Sequence, residues 1–252
     1  MLAIISPAKS LDFERDIAPP GASEPRFPEE TDRLVSAASN LTKKKLKRIM
    51  PVSDNLIELN FSRYRDFWSQ PERQAIYAFA GDVYTGFEAA SLDDEAIRFA
   101  QNHLRILSGL YGLLRPLDTI HPYRLEMGTK WAPRYRKLTD FWGDKISTLL
   151  GEDLEKVASD VIINLASNEY WAAVDGSRTA KAARIITMDF RQDGPDGPRF
   201  ISFDAKKARG MMARYICEHR IEDPEALKEF DSDGYRFVAK DSNENSWRFL
   251  RR

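Results

Sequence analysis

The stretch "FDAKKARGMMARYICEHR", Phe203 to Arg220, decides how the chain is read. It predicts a helix, yet Gly210 sits in its middle, and an interior glycine costs roughly 1 kcal/mol relative to alanine. At about 100° per residue, Ala208, Met211, Met212, Tyr215 and Ile216 share one apolar stripe. Gly210, Ala213 and Cys217 form a second stripe with almost no side chain, bordered by Lys206, Lys207, Arg209 and Arg214. Two partners suit such a surface. A phosphate backbone could approach the bare stripe while the cations meet it from the sides. Another helix or a sheet could instead pack on the stripe, with the long basic side chains reaching out to water.

The bulk properties narrow the choice only slightly. The chain has 252 residues, 42% hydrophobic and 31% charged, with a formal net charge of -1. That is a globular balance with ample core, and any basic surface must come from local clustering. The single cysteine, Cys217, excludes an internal disulfide framework, and its small apolar neighbours suggest a buried thiol. The three histidines, His103, His121 and His219, have no metal-ligand spacing, so neither a structural metal nor a cofactor is expected. The start "MLAIISPAKS" lacks the features of a signal peptide, and no run approaches the roughly 20 apolar residues of a membrane span. A cytoplasmic protein with no membrane partner is the expectation.

Along the chain, "LAIIS" (2–6) and "VIINLA" (161–166) predict buried strands. Helices are expected over 29–40, over 42–50 with Thr42 as N-cap, and over 54–68 behind Ser53. "QAIYAFAGDVYTGF" predicts a strand ending near Phe79 and a turn from Gly81 to Gly86. Ser91 with Asp94 suggests a capping box. "ARIITMDF" and "PRFISFDA" flank "RQDGPDG", a hairpin signal, and the tail "YRFVAKDSNENSWRFLRR" predicts two short strands around a polar turn. Strands and helices follow no regular alternation. One mixed α+β domain over 1–252 is expected, with a central sheet and surrounding helices.

Four constellations carry candidate chemistry. In "LTKKKLKRIMPVSDNLIELNFSRYRDF" (41–67) a lysine-rich helix, a tight turn and a second helix have the spacing of a helix-hairpin-helix element. Lys47 on the first helix, and Ser53 and Asn55 where the second begins, are the phosphate-binding candidates there. Pro51 offers no N–H, and an ordinary helical hairpin with a solvated lysine face is the alternative. Arg115 and Arg124 sit beside turn residues and suit a fixed clamp for phosphate or carboxylate, or pair with Asp118 and Glu126. Lys9 follows a strand end and a proline, with Asp12 near enough to neutralise it. Lys206, Lys207 and Arg209 border the bare stripe. No recognisable order of nucleophile, base and acid appears, and Asp82, Asn164, Asn168 and Glu169 have no defined metal spacing.

Taken together, "ISPAKSLD" (5–12), "FAGDVYTG" (79–86), "LRILSGLYGLLRPLDTIHPYRLEMG" (104–128), "FWGD" (141–144), "INLASNEY" (163–170) and "FDAKKARGMMARY" (203–215) resemble the YaaA peroxide-stress family of bacteria, in order and over almost the whole chain. The resemblance implies a cytoplasmic protein of the hydrogen peroxide response, linked to lower free iron and to protection of DNA. It implies binding of duplex or branched DNA through a basic cleft and a helix-hairpin-helix element, on an unusual α+β fold and with no established catalytic activity. The alternative is an enzyme on a small phosphorylated or nucleotide-like substrate, with Lys9, Arg115, Arg124 and Lys207 as its anion clamp.

Overall fold

A computed structural model describes residues 1–252, the side chain of Arg178 excepted. Its centre is strand β1 (Leu2–Ile5), every residue of which is buried. Such a run has no polar face to turn to water, so it belongs inside a sheet covered on both sides. β2 (Leu104–Ser108) lies parallel to it on one side, with Ala3 opposite Leu104, and β4 (Val161–Asn164) lies parallel on the other, with Ala3 opposite Ile163. β3 (Gly112–Leu114) closes one edge antiparallel to β2. Beyond β4 come β5 (Arg184–Gln192) and β7 (Ser246–Arg251), both parallel, and β6 (Tyr235–Phe237) closes the other edge antiparallel to β7. The seven-stranded order is β6-β7-β5-β4-β1-β2-β3. The expected mixed α+β fold therefore forms, around five parallel strands with antiparallel edges.

The α-helices of six residues or more are α1 (Pro28–Ser39), α2 (Lys43–Ile49), α3 (Asp54–Arg65), α4 (Asp82–Phe87), α5 (Asp94–His103), α6 (Lys145–Lys156) and α7 (Ser202–Glu218). Thr42 caps α2 as expected, its hydroxyl accepting from the Lys45 N–H. Helix α7 lies over β1 and β5 and packs on α4 and α5. Its bare stripe is where α4 crosses. A Cβ on Gly210 would stand 1.8 Å from the Val83 carbonyl oxygen, and one on Gly86 would stand 2.1 Å from the Lys207 carbonyl oxygen. The two helices thus meet backbone to backbone through one glycine each. What approaches Gly210 is a helix, and Ala213 and Cys217 are fully buried beside it.

Four local expectations are corrected. Residues 81–86 form no open turn: α4 starts behind extended Gly81, because Gly86 is needed inside a helix at the crossing. The strand expected to end near Phe79 is a helical turn, Ala75–Ala78, followed by a two-residue strand at Phe79–Ala80 that pairs with Ser10–Leu11. The cap of α5 is Asp93, whose carboxylate accepts from the Ala96 N–H at 2.7 Å, while Ser91 bonds back to Glu88. The hairpin around "RQDGPDG" shrinks to one bridge, Gln192 with Arg199. β4 and β7 already occupy both sides of β5, so a returning strand has no edge to join, and the chain enters α7 at Ser202 instead.

Helix propensity alone would make Gly210→Ala stabilising by about 1 kcal/mol. The crossing reverses that sign. Gly210→Ala and Gly86→Ala are each expected to destabilise the fold by about 3 kcal/mol or more, since a backbone carbonyl cannot rotate away as a side chain can. The shift of the urea unfolding midpoint measures this.

Candidate functional site

The chain leaves β1 toward β2 on one side and later returns to β4 on the other, so the order reverses between β1 and β4. Open parallel sheets bind ligands at the carboxyl ends of the strands at such a point. Here that edge is built by Ser6, just after β1, and by Ala166 and Ser167, just after β4. The Ser167 N–H donates to the Ser6 hydroxyl oxygen at 2.9 Å, and the Ala166 N–H to the Asn164 side-chain oxygen at 3.0 Å. The Tyr84 hydroxyl, carried by α4, donates to the Ser6 carbonyl at 3.2 Å. Burial lifts the phenols of Tyr84, Tyr123 and Tyr170 well above their usual range, which keeps them neutral donors.

Charged residues gather over this edge in both signs. Glu126 receives Lys9 at 3.4 Å and the Arg124 guanidinium at 3.0 Å. The Tyr64 hydroxyl holds the Arg124 carbonyl at 2.8 Å, and Arg124 Nε is buried without a partner. Glu169 accepts from the Gly128 N–H at 3.2 Å, and Asp82 lies 3.8 Å from Lys206. Lys9 thus pairs with Glu126 rather than Asp12, whose carboxylate instead takes the N–H groups of Glu14 and Arg15.

The other candidates disperse. Arg115 clamps the fully buried Asp118 at 2.8 Å. It follows β3, whose Leu114 sits opposite Ile106, and so lies at the amino end of the sheet, opposite Lys9. Lys207 reaches Asp233 at 3.7 Å, and Lys47 pairs with Asp54 across the helical hairpin. Arg209 is half-buried, and burial depresses its guanidinium despite the opposing charge of Asp189. Ser53 makes no side-chain cap bond to α3, and both it and Asn55 are exposed. A four-cation clamp of Lys9, Arg115, Arg124 and Lys207 is therefore not assembled.

Cations without a carboxylate lie elsewhere. On α2, Lys44, Lys45 and Arg48 are exposed and make no ion pair among the described residues. A second group lies outside the four constellations read from the sequence. The loop after Gly128, "TKWAPRYRK", exposes Lys130, Arg134, Arg136 and Lys137, again with no ion pair among the described residues. Tyr135 is 45% exposed between them and Trp131 is half-buried. The loop is closed on itself by Thr129 to Glu126, Leu138 to Thr129 and an Ala132–Tyr135 bridge. Interleaved cations and aromatics are the signal that would have found it.

The family model described as peroxide stress protein YaaA matches residues 1–241. The chain belongs to that family. It is 58% identical over all of its length to a UPF0246 protein of Rhizorhabdus wittichii, covering 99% of that chain. UPF0246 proteins of Ruegeria pomeroyi and Alteromonas mediterranea are 50% and 48% identical, each with this whole chain and 98% of theirs aligned. A role in peroxide stress follows for this YaaA-family chain. Among the described residues, no helix is long and apolar enough to cross a membrane.

Peroxide reacts with thiolates, not buried thiols. Cys217 is fully buried, and burial pushes its thiol well above the usual range. Under native conditions at neutral pH, Cys217 is expected to resist both hydrogen peroxide and iodoacetamide and to react only after denaturation. Intact-mass measurement distinguishes the two states.

Proposed function

We propose that the protein acts in the cytoplasm under peroxide stress by binding DNA, duplex or branched, through its phosphate backbone, and that this limits iron-driven damage to the bound DNA. The observation that carries this reading is the segregation of charge. Lys9, Arg124, Lys206, Lys207 and Arg214 have carboxylate partners over the sheet edge and along α7, whereas Lys44, Lys45 and Arg48 on α2, beside the paired Lys43 and Lys47, and Lys130, Arg134, Arg136 and Lys137 on the 129–137 loop stand exposed with none among the described residues. An exposed ion pair is worth only about 0–1 kcal/mol and can open, but its acid still opposes an arriving phosphate. An unpaired cation releases counterions at no such cost, and backbone binding draws its strength from that release. Tyr135 and Trp131 add ring faces on which an unpaired base can stack, which favours branched or frayed DNA over a perfect duplex.

Within the helical hairpin, α2 is the stronger half. Pro51 has no N–H to offer at the turn, and Asp54 places a carboxylate at the start of α3, where a phosphate would otherwise meet the helix dipole. The grip accordingly rests on the side chains of Lys44, Lys45 and Arg48.

Changing Lys44, Lys45 and Arg48 together to alanine is expected to weaken DNA binding about tenfold or more near 0.1 M salt and to flatten the salt slope by roughly two to three units. Arg134, Arg136 and Lys137 to alanine should act similarly, and equally across sequences. The paired set Lys206, Lys207 should matter less. Fluorescence anisotropy across a salt series measures all three. A slope unchanged by either of the first two triple changes would sink the reading.

A further inference from the structure

At the amino end of the sheet, opposite the edge described above, lies a cavity of about 540 Å³. That is the size of a small-molecule site. It is lined by Arg26, His103, Arg105, Arg115, Asp153 and Lys156, with Glu222 as the second acid. Asp153, only 1% exposed, is shared by three cations. Arg26 Nη1 donates to both of its oxygens at 2.7 and 2.8 Å, Arg105 Nε donates at 2.6 Å, and Lys156 Nζ stands 3.5 Å away.

One carboxylate does not satisfy this set. Arg26 Nε and Nη2 are buried with no hydrogen-bond partner. Arg105 is 4% exposed; its Nη1 donates to the Gln101 and Leu104 carbonyls at 3.0 and 2.7 Å, and burial pulls its guanidinium below the usual range although Asp153 opposes the shift. Arg115 spends Nε and Nη2 on Asp118 and on the Glu24 carbonyl, and Lys156 is mostly exposed at the rim. Buried donors in excess of acceptors call for an acceptor that the chain does not supply. Planar guanidinium forks match oxygens carried two or three to an atom group.

We propose that this cavity is a binding site for a compact oxyanion of more than one negative charge, a phosphate group or a polycarboxylate, held by Arg26, Arg105, Arg115 and Lys156. The site is separate from the DNA-binding surface and does not depend on it. Lys156 closes over the anion from the rim, and His103, whose Nδ1 meets the Met1 carbonyl at 3.0 Å, reports its arrival.

The test titrates the full chain calorimetrically with inorganic phosphate and, separately, with citrate, while the His103 ring is followed by NMR. The expected result is saturable uptake of at least one probe at about 1 mM or tighter, accompanied by a His103 shift. Which probe binds decides between phosphate and carboxylate. Lys156→Ala, an exposed change that spares the fold, should weaken uptake about tenfold, and Arg26→Met should do likewise if it folds. Lys44→Ala with Lys45→Ala, which removes charge from the proposed DNA surface, should leave uptake intact. No saturable uptake of either probe up to about 10 mM, or equal weakening by the Lys44 and Lys45 changes, would overturn the proposal. Neither result bears on DNA binding, which is read by anisotropy in the same variants.

Discussion

Two glycines allow a pair of helices to touch through their backbones, and the arrangement of the carboxyl edge depends on that contact. Gly86 of α4 and Gly210 of α7 each lie where the partner's carbonyl leaves no room for a side chain. The crossing fixes α4, which in turn aims Tyr84 at the Ser6 carbonyl and sets Asp82 beside Lys206. The route of the chain after β1, and with it the position of Lys9, is thereby anchored from below. The same contact removes the bare stripe of α7 from any external partner. A feature that resembled a docking strip for a polyanion is an internal bearing surface.

The two ends of the parallel strands differ in electrical character. Over the carboxyl edge, Lys9, Arg124 and Lys206 are matched by Glu126 and Asp82, with Glu169 close to the same loop. At the amino end, Arg26, Arg105 and Lys156 converge on a single buried aspartate. A buried charge must be compensated where it stands, so the two environments were shaped by different demands. The near-neutral net charge of the chain hides this division, because it sums over surfaces that never meet.

Much of the backbone was legible from local pattern. The apolar run that marks β1 is complete within four residues, and the Thr42 cap of α2 and the hairpin of the tail rest on contacts between near neighbours. The errors arose where distant residues decide. "RQDGPDG" has the chemistry of a tight turn, yet β7 took the edge that a hairpin would have used. Gly86 looked like turn punctuation because its reason, the Lys207 carbonyl, is far away in sequence. The bare stripe on α7 is legible in the sequence but its occupant is not, since small residues admit a helix or a phosphate equally. The loop at 129–137 has no periodicity, so no helix or strand pattern marks it in the sequence. The Arg26–Asp153–Arg105 cluster had no sequence signal, as its members are brought together only by the fold.

The central position of β1 constrains the order in which the molecule can assemble. Its neighbours are Leu104 to Ile106 on one flank and Ile162 to Asn164 on the other. A chain emerging from the ribosome therefore carries "LAII" unpaired until the first of those strands has been made, and with one edge open until the second follows. Long-range parallel pairing of this kind is slow and leaves sticky edges open meanwhile. The sheet can close around this strand only after residue 164 has been made.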